Sequence, residues 1–168
     1  MKRLLTACLL LTVMPLFSSA RALDPGDTAP AVSGTTETGE TLDFADVYSK
    51  HDYTLVYFYP KADTPGCTKQ GCSLRDGYEA LSAQGVAVIG VSTDDVDAQK
   101  AFKEKYNFPF TLVADTDKTV MKAFGVPGLM FASRQAYLIH DGKIVYADHQ
   151  GSTTKQADDI LEFLAKSE

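Results

Sequence analysis

From Leu23 onward the apolar positions fall into short bursts between polar, glycine- or proline-bearing breaks, and the bursts alternate between unbroken runs and helical spacing. Tyr53 to Tyr59 is β-branched and aromatic with almost no polar relief, the composition of a central strand buried on both faces of a parallel sheet. Pro60 ends it. Thr64 and Pro65 supply an N-cap and a proline at the first helical position, and Leu74, Tyr78 and Leu81 repeat at helical spacing until Gly85 closes the helix. Val86 to Val91 is a second buried strand. Thr93-Asp94-Asp95 starts a helix carrying Ala98, Ala101, Phe102 and Tyr106, and Phe110 to Val113 is a third strand. A short helix spans Asp115 to Phe124 and ends at Gly125. Gln135 to His140 and Lys143 to Tyr146 flank an Asp141-Gly142 turn as a β-hairpin, and Ser152-Thr153 caps a last helix striped by Ile160, Leu161 and Leu164. Ahead of the first long strand, the polar run Thr35 to Gly39 between short apolar stretches reads as another hairpin.

This rhythm predicts one α/β domain over residues 23–168: a three-layer sandwich with a central mixed sheet, helices on both faces and an N-terminal hairpin, of the thioredoxin-like type. The middle strands are parallel and the last hairpin antiparallel. A length of 168 residues suits a single domain, and 45% hydrophobic with 23% charged residues excludes disordered and polytopic membrane classes. A net charge of −6 without a basic patch argues against nucleic-acid partners. The chain lacks a GxxxxGK[ST] loop, a GxGxxG turn, a GxSxG elbow and an HExxH helix, so nucleotide, hydrolase and zinc-protease chemistry have no support.

Residues 1–22 read as a signal peptide. Met1-Lys2-Arg3 is a positive n-region, Leu4 to Phe17 an apolar run, and Ala20-Arg21-Ala22 a small-x-small cleavage site. The run is shorter than the roughly 20 residues a membrane span needs, and Cys8 lies too early in it for a lipidation box. Removal of this segment takes away Lys2, Arg3 and Arg21, moving the net charge from −6 to −9. The expectation is a periplasmic or secreted bacterial protein with no membrane attachment after cleavage.

The chemistry is sought at Cys67 and Cys72, since three cysteines are too few for a disulfide-stapled scaffold and form no zinc spacing. Cys67 follows a buried strand and occupies the first turn of a helix, where unpaired N–H groups and the helix dipole favour a thiolate. It is either a nucleophile or a small buried hydrophobe. Thr64, three residues earlier, either turns its hydroxyl toward the sulfur or simply caps the helix. In an ideal helix Cys67 and Cys72 have Cα atoms roughly 8.6 Å apart and about 140° round the axis, whereas a disulfide needs about 7 Å or less. The pair can bond only if the first turn unwinds, which suits a reversible redox cycle better than a permanent staple.

Tyr57-Phe58-Tyr59-Pro60-Lys61, Thr64-Pro65-Gly66-Cys67-Thr68 and Gly71-Cys72-Ser73-Leu74-Arg75-Asp76 resemble the peroxiredoxins, specifically the peroxiredoxin Q or bacterioferritin-comigratory-protein type, over roughly Leu23 to Lys166. The resemblance implies a thiol peroxidase whose motif falls on Pro60, Thr64 and Cys67, with Cys67 peroxidatic, Cys72 resolving through an intramolecular disulfide, and Arg134 as the active-site arginine. It implies peroxide substrates, a thioredoxin-like dithiol reductant, no bound cofactor or metal, and a monomer or weak homodimer. The rival is a secreted thioredoxin-like thiol–disulfide oxidoreductase acting on protein disulfides, whose usual CxxC spacing is absent. A further rival is a non-enzymatic domain with a fixed Cys67–Cys72 bond. Three features depart from the family pattern. Asp63 stands where relatives often carry an apolar residue and is expected to face water. Gly71 replaces the commoner Ala and is expected to loosen the helix, and Val126 to Ser133 is shorter than in many relatives. Arg75 and Lys61 read as surface charges, and His51, His140 and His149 as isolated side chains.

Overall fold

The computed structural model describes residues 21–167; most of the expected signal segment lies outside the described residues. In chain order the elements are β1 (Ser33–Thr36), β2 (Thr41–Asp43), α1 (Phe44–Lys50), β3 (Tyr53–Phe58), α2 (Pro65–Asp76), α3 (Tyr78–Ala83), β4 (Val86–Ser92), α4 (Val96–Tyr106), β5 (Thr111–Ala114), α5 (Thr119–Ala123), β6 (Gln135–His140), β7 (Lys143–Asp148) and α6 (Gln156–Ala165). The strands form one sheet in the order β2-β1-β5-β4-β3-β6-β7. The β3, β4 and β5 neighbours run parallel, while the β1–β2 and β6–β7 hairpins and the β3–β6 and β1–β5 pairings are antiparallel. This is the expected mixed-sheet, thioredoxin-like architecture.

Alternation along β3 separates two cores. Leu55, Tyr57 and Tyr59 face α2, α3, α4 and α6 through Leu74, Leu81, Phe102, Ile160 and Leu164. Val56 and Phe58 face α1 and α5 through Phe44, Val120 and Met121. Each fully buried Leu, Ile or Phe contributes roughly 1.5–3 kcal/mol, so a strand buried on both faces anchors the whole sandwich. Tyr57 fits because its cross-strand partners are Gly90 and Ala136. A Cβ at Gly90 would lie 2.7 Å from the Tyr57 hydroxyl, so only glycine lets the ring lie across the sheet there.

Three local expectations need correction, and one helix was not foreseen. The helix beginning at Pro65 does not run unbroken to Gly85; it breaks at Gly77, where a Cβ would lie 2.6 Å from that of Ala157 on α6. Close packing between helices, rather than local propensity, decides that break. Helix α1 was not legible as a helix, although Asp43 caps it by accepting from the Ala45 amide. Helix α5 starts at Thr119 rather than Asp115, because the buried Asp115 carboxylate accepts from the Val120 and Met121 amides. Ser152-Thr153 does not cap α6. Lys155 stands at the cap, and the Ala157 amide instead donates to Ser73 Oγ of α2.

Candidate active site

The site lies where β3 leaves the sheet, at the carboxyl ends of the parallel strands, a position that open α/β sheets reserve for reactive groups. The Pro60–Thr64 loop is fixed from below by β4: Asp94 accepts from the Ala62 amide at 2.7 Å and from Ser92 Oγ at 2.7 Å. Asp63 adopts a left-handed φ of 55°, and its carboxylate meets the end of α4. It accepts from Lys105 Nζ at 2.6 Å and from the Tyr106 hydroxyl at 2.7 Å. Those hydrogen bonds hold its carboxyl below the usual value, and Asp63 faces solvent as expected.

Thr64 stands at the N-cap position with extended backbone but makes no side-chain cap bond. Its hydroxyl donates to the Lys61 carbonyl at 2.9 Å, tying the loop to itself, while its backbone carbonyl accepts from the Thr68 amide. The capping expectation is therefore corrected. With no side-chain cap and no intrahelical acceptor, the Gly66 and Cys67 amides remain directed out of the helix end, where the dipole favours negative charge. Pro65, between Thr64 and Gly66, has no N–H to leave unpaired.

Cys67 is a free thiol, 1% exposed, facing the side of α2 that meets Arg134. Arg134 arrives from just before β6, 67 residues away in sequence, and donates through Nη2 to Cys67 Sγ at 3.4 Å. Its Nη1 donates to Gln70 Oε1 at 2.5 Å, and Gln70 Nε2 donates to Gln156 Oε1 of α6 at 2.9 Å. Two glycines make room for the guanidinium and its stem. A Cβ at Gly66 would lie 3.0 Å from Arg134 Nη2, and one at Gly151, whose φ is +63°, would lie 2.1 Å from Arg134 Cγ.

Cys72, half-buried and also free, sits further along α2 on the side that packs toward the first core. Arg75 is not the simple surface charge expected. Its guanidinium donates to the Tyr106 carbonyl at 2.9 Å and pairs with Asp76 at 2.8 Å. Gly71 also differs from expectation: a Cβ there would lie 2.5 Å from Phe108 Cζ, so the missing methyl is space occupied by an aromatic ring rather than slack in the helix. Beneath the helix, burial pushes the Tyr57 and Tyr59 hydroxyls far above their ordinary range, so both are neutral.

Thus the structure brings Arg134 into contact with Cys67, places Pro60 and Thr64 in the loop that leads into α2, and leaves Cys72 five residues along the same intact helix. Gln70, Gln156 and Gly151 belong to the cluster and escaped sequence reading. Gln70 had a signal, three residues after Cys67 on one helical face; the other two are joined to the site only by tertiary packing. Leu129, Met130 and Phe131 are 89%, 70% and 45% exposed, with Lys61 Nζ, in the loop before α2, 5.9 Å from the Phe131 ring. His140 contacts the Asp52 carbonyl and His149 lies 3.2 Å from Asp24. Among the described residues no group of three or more His, Cys, Asp or Glu is arranged to hold a metal.

Residues 25–147 match the model of the AhpC/TSA family. The chain is 47% identical over 105 residues to a putative peroxiredoxin bcp of Coxiella burnetii, covering 62% of this chain and 68% of that one. It is 39% identical over 145 residues to the chloroplastic peroxiredoxin Q of Suaeda salsa, covering 83% of this chain and 66% of the relative. Among solved structures, the peroxidoxin BcpB of Mycobacterium tuberculosis superposes with a TM-score of 0.80 at 31% identity, covering 86% of this chain and 97% of that one. A peroxiredoxin Q variant from Xylella fastidiosa also gives 0.80, at 27% identity with 87% and 98% coverage.

Proposed function

The chain belongs to the AhpC/TSA family, and from that premise we propose that it is a thiol-dependent peroxidase that reduces hydrogen peroxide and organic hydroperoxides with Cys67 as nucleophile. The observation that carries the reading is the Cys67 sulfur held at the open end of a helix with a guanidinium 3.4 Å away. A cation that never deprotonates, together with free amides, favours an anionic sulfur and steadies charge on a peroxide oxygen.

The thiolate attacks one peroxide oxygen in line with the O–O bond. That bond breaks, the leaving oxygen takes up a proton to become water or alcohol, and Cys67 is left as a sulfenic acid. The Cys72 thiol then attacks the Cys67 sulfur, forming the disulfide and releasing water. Because both residues lie on one continuous helix, this step requires α2 to unwind between them. A thioredoxin-like dithiol returns both thiols by exchange and is itself oxidised. The exposed Leu129, Met130 and Phe131, which approach the loop before α2 through the Lys61–Phe131 contact, suit substrates with an apolar substituent.

Export through residues 1–22 to the periplasm or exterior, as a monomer or weak dimer, completes the reading. The mass of the protein recovered from cells and its sedimentation test those two points. Peroxide consumption driven by dithiothreitol tests the activity: wild type turns over and Cys67→Ser does not, while reduced Cys72→Ser, freed of added thiol, consumes one equivalent. Dithiol-dependent reduction of protein disulfides without peroxide consumption would instead favour the oxidoreductase alternative.

A further inference from the structure

We propose that Gln156, on helix α6, is a positioning residue for the peroxide reaction, fixing Arg134 against Cys67 through the buried carboxamide of Gln70. The inference rests on the peroxidase reading and adds to it a remote element that the Cys67 motif does not contain.

The argument starts from hydrogen-bond polarity. A guanidinium only donates, so the Gln70 group facing Arg134 must be the carboxamide oxygen, as it is. That leaves the Gln70 amino group pointing the other way, into the contact between α2 and α6. Its partner there must accept, and Gln156 supplies its oxygen at 2.9 Å. The Gln156 amino group then points away and has no partner, although the side chain is fully buried. The orphaned donor at the end of the chain is what the orientation of the whole series forces. Turning Gln70 over would set its amino group against the guanidinium and its oxygen against that of Gln156, and turning Gln156 over would set two amino groups against each other.

Packing holds the end of this series in place. Gln70, Ser73 and Gly77 recur along the face of α2 that meets α6. Ser73 Oγ accepts from the Ala157 amide at 3.2 Å, and Gly77 lets the helices approach until a Cβ there would lie 2.6 Å from Ala157 Cβ. Gln156 is the first residue of α6, so its side chain is carried by a helix end docked directly on the reactive helix. Gln70 also lies between Cys67 and Cys72, so the unwinding that joins the cysteines separates it from both Arg134 and Gln156.

Replacing Gln156 with Met keeps the bulk and removes the acceptor, which strands a buried amino group on Gln70 and frees its carboxamide to turn or shift. A stranded buried donor carries a penalty corresponding to roughly a tenfold loss, expected in kcat/KM for hydrogen peroxide, with the pH at half-maximal turnover moving upward. Gln156→Glu presents an oxygen at the same place and is expected to restore both. The positions act in series, so Gln156→Met is expected to change neither readout further in a Gln70→Met background; this arm applies even if the single variant folds poorly. An unaltered pH profile in Gln156→Met, or equal losses from that substitution with and without Gln70, overturns the inference while wild-type turnover stands. Failure of wild type to consume peroxide would instead overturn the peroxidase reading.

Discussion

The Nη2 group of Arg134 lies 3.4 Å from the sulfur of Cys67 while Nη1 of the same guanidinium grips Gln70. One planar cation thus spans the nucleophile and its structural support, a fork that a lysine ammonium cannot reproduce. Arg134→Lys is expected to retain the fold and lose roughly 10²–10³-fold in kcat/KM for peroxide, the scale of removing one donor from a developing oxyanion. Steady-state turnover beside a far-ultraviolet spectrum checks it, and turnover within threefold of wild type would contradict it.

Gly151 governs whether that cation can reach the sulfur. Its left-handed φ and the 2.1 Å approach of a Cβ to Arg134 Cγ mean that Gly151→Ala meets backbone strain of about 1–2 kcal/mol and a clash with the arginine stem. Both stability and turnover should fall. A lowered urea midpoint with undiminished turnover would show that Arg134 is not positioned from this side.

The space at Gly71 gives a reciprocal test. Gly71→Ala is expected to destabilise by about 1–3 kcal/mol through overpacking against Phe108, and Phe108→Leu should relieve part of that loss when combined with it. A double-mutant cycle in urea measures the coupling. Additive effects would mean that the two side chains do not compete for the same volume.

Asp63 carries a pH signature. Hydrogen bonds from Lys105 and then Tyr106 hold its carboxyl below the ordinary 3.8. A depressed folded-state value makes its stabilising contribution present above the ordinary value and lost as pH falls through the folded one. Because Asp63 is exposed, the effect is small. The urea midpoint of Asp63→Asn is expected below that of wild type at pH 7, with the gap closing below about pH 4. A gap that stays constant to pH 2 would contradict the ion-pair account.

What could be read from the chain alone was what neighbouring residues decide. The run Tyr53 to Tyr59, the proline after it and Pro65 before Cys67 place a cysteine in the first turn of a helix through local rules, and the structure has Cys67 there. Helix α1 escaped because Phe44 to Lys50 spans barely two turns. The break at Gly77 and the displaced start of α6 escaped because Ala157 and Ser73, both distant in sequence, determine them. Arg134 is the intermediate case: on composition it is a strand-edge charge, and only the family resemblance singled it out. Gln156, 86 residues from Gln70, left no local trace, since a glutamine at a helix start reads as a solvated side chain until the opposing helix is in place.

The most direct measurement is the mass of the fully reduced protein before and after one equivalent of hydrogen peroxide, followed by peptide mapping. The expected result is the loss of two hydrogens, with Cys67 and Cys72 recovered in a single disulfide-linked pair, and in Cys72→Ser a sulfenic acid trapped at Cys67 alone. Recovery of both cysteines as free thiols, with the peroxide unconsumed, would contradict the assignment of Cys67 as the peroxide-reactive nucleophile.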